Sequence, residues 1–192
     1  PDHPRAIQVL SNLGLVFADQ KQFEQAEALY RRALAVTEQA HGPDHASLAV
    51  YLHNLAGLHR ERGELSVAEG LHRRALAIQE SAMGPDHPTI AHHLTGLAGV
   101  LEGQGRLDEA DAAAHRALAI WRRALGGGHS LLAQTLEVLA RVAAARGKPT
   151  EAAALLREAL GISRQELGPA HWRTARLESE YADLMGGQLE AC

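Results

Sequence analysis

Cysteine is almost absent from the chain: Cys192 is the only one in 192 residues. One terminal thiol excludes an internal disulfide framework and a cysteine-rich zinc site. Aromatic residues make up only 4%, while Ala and Leu dominate the 46% that are hydrophobic. That balance speaks against a sandwich or barrel and for an all-helical protein. Charge of one sign is not in excess, since 19 Lys and Arg against 23 Asp and Glu give a net charge of −4. A broad electrostatic footprint for nucleic acid is therefore not expected. No apolar run approaches the roughly 18 residues of a spanning helix, and no signal-peptide pattern opens the chain. Neither a membrane nor a nucleic-acid partner is expected, and the expected location is cytoplasmic. The first residue is Pro1 rather than Met, which suggests a fragment or processed piece. The length suits one domain or a short repeat array.

What the chain does have is a repeat. His3, His45, His87, His129 and His171 recur every 42 residues. The same step carries Gly42 to Gly84, Gly126 and Gly168, and Ala26 to Ala68, Ala110 and Ala152. It also carries Leu13 to Leu55, Leu97 and Leu139, and Ala33 to Ala75, Ala117 and Ala159. The repeats are expected at about 1–42, 43–84, 85–126 and 127–168 of a single repeat domain, with a terminal capping helix at 169–187. Fixed periods of this length mark solenoid architectures.

Each copy reads as two helices. Leu10, Leu13, Gly14 and Phe17 share one face at a period of 3.6 residues. A second stripe follows through Phe23, Ala26, Tyr30, Ala33, Leu34 and Val36. Between the stripes lies a turn at Gly63, Gly105 and Gly147, with Lys21 at that position in the first copy. Glycine there suits the left-handed conformation that ends a helix, and Pro149 suits a first helical turn. The copies are joined by Gly42-Pro43-Asp44-His45, Gly84-Pro85-Asp86-His87, Gly126-Gly127-Gly128-His129 and Gly168-Pro169-Ala170-His171. Gly stops the second helix, Pro prevents its resumption, and Asp44 or Asp86 is expected to cap the next helix. The recurring His would stand about one helix diameter apart, roughly 10 Å, too far to share a metal ion.

Leu10-x2-Leu13-Gly14-x2-Phe17 followed by Ala26-x3-Tyr30-x2-Ala33 resembles the tetratricopeptide repeat pattern. The usual Trp is Leu, and the Pro closing the 34-residue form is absent at Glu38, Glu80, Arg122 and Arg164. The 42-residue version, with Asn12-Leu13-Gly14, Asn54-Leu55-Ala56 and Gly-Pro-Asp-His-Pro at 84–88, is similar to the kinesin light chain type. The resemblance implies an all-α, right-handed α-solenoid of tetratricopeptide helix-turn-helix repeats. It also implies a protein-protein interaction module that binds a peptide or helix in its concave groove. A structural or self-association arm of a larger multidomain signalling protein is the alternative. HEAT-like or armadillo-like solenoids also fit a period of about 40 to 47. Small residues at Gly14, Ala56, Ala98 and Ala140 facing Ala26, Ala68, Ala110 and Ala152 favour the tetratricopeptide pattern.

If Leu10, Leu13, Gly14 and Phe17 pack inward, the first helices expose Gln8, Ser11, Asn12, Leu15, Ala18 and Asp19 and their equivalents. The candidate groove residues are Asn12, Leu15, Asp19, His53, Asn54, Gly57, Arg60, Glu61, His92, Thr95, Gly99, Glu102, Glu137 and Arg141. The resemblance implies that Asn12 and Asn54 hold a ligand's backbone, because an amide both donates and accepts. Gly96 and Val138 replace that Asn in the next copies. Glycines 57, 96 and 99 suggest a pocket for a bulky apolar side chain, with Arg60 and Arg141 available for an acidic group.

Twelve His invite a metal reading that the spacing does not support. His92 and His93 point to different faces of one helix. Glu69-x-x-His72 is half of a di-iron motif whose second copy is missing, and His72 stands in the apolar stripe where Tyr30 stands. His115 and Asp111 share a face in a solvated row. No metal, cofactor or catalytic residue is therefore expected, and no nucleophile elbow, Walker loop or dinucleotide fingerprint occurs. Trp121, in register with Thr37, Gln79 and Ser163, should face solvent and could anchor a partner there. The last helix continues its stripe through Leu177, Tyr181 and Leu184 and is expected to stop at Gly186-Gly187. Homo-oligomers through the solenoid ends are the further expectation.

Overall fold

The computed structural model describes residues 4–190, and side chains within 7–186. His3 and Cys192 lie outside the described residues. Nine helices are described: α1 (Pro4–Asp19), α2 (Phe23–His41), α3 (Leu48–Glu61), α4 (Leu65–Met83), α5 (Pro88–Gly103), α6 (Leu107–Leu125), α7 (Ser130–Ala145), α8 (Pro149–Glu166) and α9 (Trp172–Glu190). No strand occurs among the described residues. The chain forms two compact units, Pro1–Val100 and Leu101–Cys192. In the first, α1 packs on α2, α2 on α3 and α3 on α4; in the second, α6 packs on α7, α7 on α8 and α8 on α9.

The turns follow from backbone chemistry. Gly42, Gly84, Gly126 and Gly168 have φ of 92°, 82°, 73° and 87°, a region where a side chain would be strained. At the tighter turn, Gly63, Gly105 and Gly147 have φ of 76°, 76° and 71°, and Lys21 adopts the same conformation at φ 60°. Pro149 opens α8, where a missing N–H leaves no bond unmade.

At each of these four linkers the recurring His accepts the backbone N–H two residues ahead. The Nδ1 of His45 accepts the Ser47 N–H at 3.3 Å, and His87 accepts that of Thr89 at 3.4 Å. His129 accepts from Leu131 and His171 from Arg173, each at 3.2 Å. For α7 this makes His129 the N-cap, a role expected of Asp44 and Asp86 at their own linkers, whereas ahead of α3 the bond falls on Ser47, the residue before Leu48. The signal was present in the sequence, because His persists in the two linkers where Asp has become Gly128 and Ala170.

Ala26, Ala68, Ala110 and Ala152 are all fully or almost fully buried, as are Ala56, Ala98 and Ala140. These small side chains let backbones approach closely, and a larger residue would overpack the site at a cost of about 1–3 kcal/mol. Leu48, Leu52 and Ile78 form one cluster of unit 1, and Ala26, Tyr30, Leu55 and Leu58 another. Leu132, Leu136, Val142 and Leu177 are fully enclosed in unit 2.

The structure departs from the expectations at four places. Leu13 is 42% exposed although Leu55, Leu97 and Leu139 are buried, because no described helix packs on its side of α1. Ser11, expected on the open side, is buried and accepts a hydrogen bond from Asn54 Nδ2 at 3.4 Å. Trp121 is 5% exposed, not solvent-facing. Its whole register row is buried: Thr37 donates to the Ala33 carbonyl at 2.8 Å, Gln79 to that of Ala46 at 3.1 Å, and Ser163 bonds Thr174 at 2.8 Å. Polar residues in this row satisfy their bonds internally, so their polarity did not mark solvent. In addition, α9 runs past Gly186-Gly187 to Glu190.

Candidate functional site

The candidate groove residues divide between the units. Asn12, Leu15, Asp19, His53, Asn54, Gly57, Arg60, Glu61, His92, Thr95 and Gly99 belong to the first, and Glu102, Glu137 and Arg141 to the second.

In unit 1, residues of α1, α2 and α3 enclose a hollow of ≈ 150 Å³. Leu15, Ala18, Asp19, Phe23, Tyr30, His53, Asn54, Gly57, Leu58 and Glu61 line it. Leu15, Asp19, His53, Asn54, Gly57 and Glu61 of the candidate set are therefore brought together. A Cβ at Gly57 would meet no atom within 4 Å, so the wall is open at that point. Tyr30 closes the floor. Burial, and then the charge of Asp19, push its phenol up to about 12, so it is neutral at ordinary pH. The rim is acidic: Asp19 is exposed, and Glu61 is exposed and held by Lys21 at 2.6 Å. Asn12 lies outside the lining, on the exposed side of α1, where it accepts from Gln8 at 3.0 Å.

The glycine pocket expected around Gly96 is filled by the chain itself. A Cβ at Gly96 would stand 2.4 Å from Cε1 and 2.6 Å from Nε2 of His72, so the glycine makes room for that imidazole rather than for a ligand. Gly99 is buried. Thr95 donates to the Ala91 carbonyl at 2.9 Å. Arg60 is exposed.

In unit 2, Ala140, Arg141, Ala144, Ala152, Leu156, Glu180, Asp183 and Leu184 line a second, more apolar hollow of ≈ 360 Å³ between α7, α8 and α9. Arg141 Nε donates to Glu102 at 3.1 Å. Glu137 is buried and is held by Arg176 and, at 3.4 Å, by Arg173. Burial raises its pKa, and the two guanidinium groups oppose that rise.

Sequence spacing did not reveal one constellation. His53 of α3, His72 of α4 and His93 of α5 each offer a nitrogen within 4.8 Å of the others. The His92 ring stacks on His53 at 4.1 Å, and the His93 ring meets His53 edge-on at 5.5 Å. The neighbours His92 and His93 thus converge on one ring rather than serving unrelated faces.

Repeated helical hairpins with small residues at their crossings and side chains opening into hollows define a helical-repeat scaffold of the protein-interaction class. The tetratricopeptide repeat model matches residues 5–81, 59–113 and 89–165, and the chain belongs to the tetratricopeptide repeat family. It is similar to the crystal structure of nearly identical kinesin light chain-type TPR-like repeats from Podosopora anserina, with a TM-score of 0.76 and 24% identity. That match covers 98% of this chain and 91% of the other. It is also similar to BtubC (BKLC) from P. vanneervenii, with a TM-score of 0.77 and 20% identity, covering 93% and 71% of the two chains. At these identities the likeness shows the fold, an all-α solenoid of kinesin light chain-like repeats. No curated protein sequence matches the chain. No described helix is long and apolar enough to cross a membrane.

Proposed function

We propose that the hollow of unit 1 holds a peptide segment of a protein partner. The supporting observation is the convergence of Leu15, Asp19, His53, Asn54, Gly57 and Glu61 on one open concavity. Asn54 spends one N–H on Ser11, and its other N–H and its carbonyl can hold a peptide backbone. The missing side chain at Gly57 admits a small apolar residue. Asp19 and Glu61 favour a Lys or Arg beside it. The Lys21–Glu61 pair is solvated on both sides and is worth little, so a ligand's cation can displace it. Arg60, first considered for an acidic group, is not among the lining residues. The same reading makes the chain a scaffold rather than a catalyst.

The test uses peptides of about ten residues selected by display against the full chain. Selected peptides should pair a Lys or Arg with a small apolar residue, and should bind the double variant Asp19→Asn/Asn54→Ala roughly tenfold more weakly, a loss of about 1.4 kcal/mol. The helical circular dichroism should not change. Equal affinity for the double variant would remove the hollow from consideration.

A self-association arm is the second reading, and one observation favours it. Val9, Leu13 and Val16 are 62%, 42% and 48% exposed on one face of α1. An apolar face of this kind suits a contact between copies. A light-scattering mass that stays monomeric at every accessible concentration would discard it.

A further inference from the structure

The histidines at the centre of unit 1 are buried without the bonds that buried imidazoles normally make. The Nδ1 atoms of His53, His72 and His93 have no hydrogen-bond partner, and His72 and His93 are only 2% and 4% exposed. Leaving a buried polar atom unsatisfied costs on the order of 1–3 kcal/mol. Three such atoms in one place call for an explanation. Apolar packing alone does not supply it, since Tyr or Leu would fill the same volume, as Tyr30 and Leu156 do at the register position of His72.

We propose that His53, His72 and His93 form a binding site for a divalent first-row transition-metal ion, with zinc the ion of choice. Imidazole nitrogen suits Zn, Cu and Ni, and three protein nitrogens with one position left to water is a recurrent zinc arrangement. The three offered nitrogens lie within 4.8 Å of one another. Bonds of about 2.0–2.1 Å at tetrahedral angles need nitrogens about 3.3 Å apart, a closure within reach of side-chain rotation. The ligands come from three successive helices, so the ion would tie α3, α4 and α5 together.

Two further features fit. Burial, the first cause for each ring, holds His53 down at about 2, His72 at about 3 and His93 at about 4. Their lone pairs are therefore available at neutral pH with no proton to lose. Gly96 removes the one side-chain carbon that would collide with His72. Arg60 opposes binding, since both His53 and His72 feel its charge, but it is exposed and can turn away.

The experiment uses the full chain without an affinity tag, stripped with chelator and titrated with Zn²⁺ against a chromophoric competitor, then with Co²⁺ followed by visible absorption. One ion per chain should bind, with a cobalt spectrum of tetrahedral intensity. His53→Ala and His93→Gln should each weaken binding roughly tenfold or more, while His115→Ala, at an exposed position outside the trio, should not. Arg60→Ala should tighten it, which a purely structural role for the histidines would not produce. His53 is the least buried of the three, so its variant remains folded if His93→Gln does not, as circular dichroism will show. Absence of stoichiometric uptake, or uptake undiminished in folded His53→Ala, would overturn the site. His53 also lines the hollow, but Asp19 and Asn54 are not ligands, so the Asp19→Asn/Asn54→Ala variant separates a loss of peptide binding from a loss of metal binding.

Discussion

His72 occupies the space that a side chain at position 96 would need: a Cβ there would lie 2.4 Å from its Cε1. The two departures from the repeat, His in the row of Tyr30 and Gly in the row of Asn12 and Asn54, are one structural fact. The loss of Asn in the third copy accordingly reflects packing in unit 1 rather than a loosened ligand clamp.

This coupling can be measured. Gly96→Ala should destabilise by about 2 kcal/mol through overpacking. His72→Ala leaves a cavity and also destabilises, but the double variant should cost less than the two together, because the new methyl enters the vacated space. Additive costs in denaturant unfolding would show that the contact is relieved by backbone movement instead.

The same rings set a pH dependence in the metal-free chain. His53, His72 and His93 titrate at about 2, 3 and 4 in the folded state and at 6.5 ordinarily. Below that ordinary value the unfolded chain binds protons that the folded chain does not, so stability falls as pH falls. The limit is about 1.4 kcal/mol per pH unit for each ring. Imidazole NMR shifts of these residues should stay flat from pH 7 to 5, while the melting temperature drops over that span. A midpoint near 6.5 for His72 would refute its burial.

Glu137 predicts an asymmetry. Its carboxylate is buried between Arg173 and Arg176, and an uncharged amide in its place leaves the exposed Arg176 in reach of water. Glu137→Gln should cost about 2 kcal/mol. Replacing both arginines by Ala strands a buried charge and should cost about 3 kcal/mol or more. Its stability should then recover on acidification, when the carboxyl takes a proton. Equal costs would mean that water reaches Glu137.

Lys21 is the one turn residue at its register position that is not glycine, and its φ of 60° costs a side chain about 1 kcal/mol. Lys21→Gly should stabilise the chain by roughly 0.5–1 kcal/mol, since the lost Lys21–Glu61 pair is exposed and worth little. Gly63→Ala should lose about 1 kcal/mol, because Gly63 sits at φ 76°, where a Cβ is strained. Chemical denaturation of the two variants gives both signs in one comparison.

The period and the glycine turns were legible in the sequence because each depends on one residue type at a fixed step, and the helix pairs because their apolar stripes keep a period of 3.6 residues. Exposure was less legible. Thr37, Gln79 and Ser163 are polar yet buried, so the row containing Trp121 read as solvent-facing. Leu13 is apolar yet exposed, since its register says nothing about whether a neighbour is there. The histidine trio was invisible to spacing because its members occupy three different register rows on three helices. Only the packing of α3, α4 and α5 brings them together.

The two tryptophans of the chain both fall in Leu101–Cys192, and their surroundings are opposite. Trp121 is enclosed, while Trp172 is 65% exposed beneath the guanidinium groups of Arg173 and Arg176. Indole emission therefore reports on unit 2 alone. A soluble quencher such as iodide will extinguish the Trp172 contribution and leave that of Trp121, while Pro1–Val100 must be followed through the tyrosines Tyr30 and Tyr51.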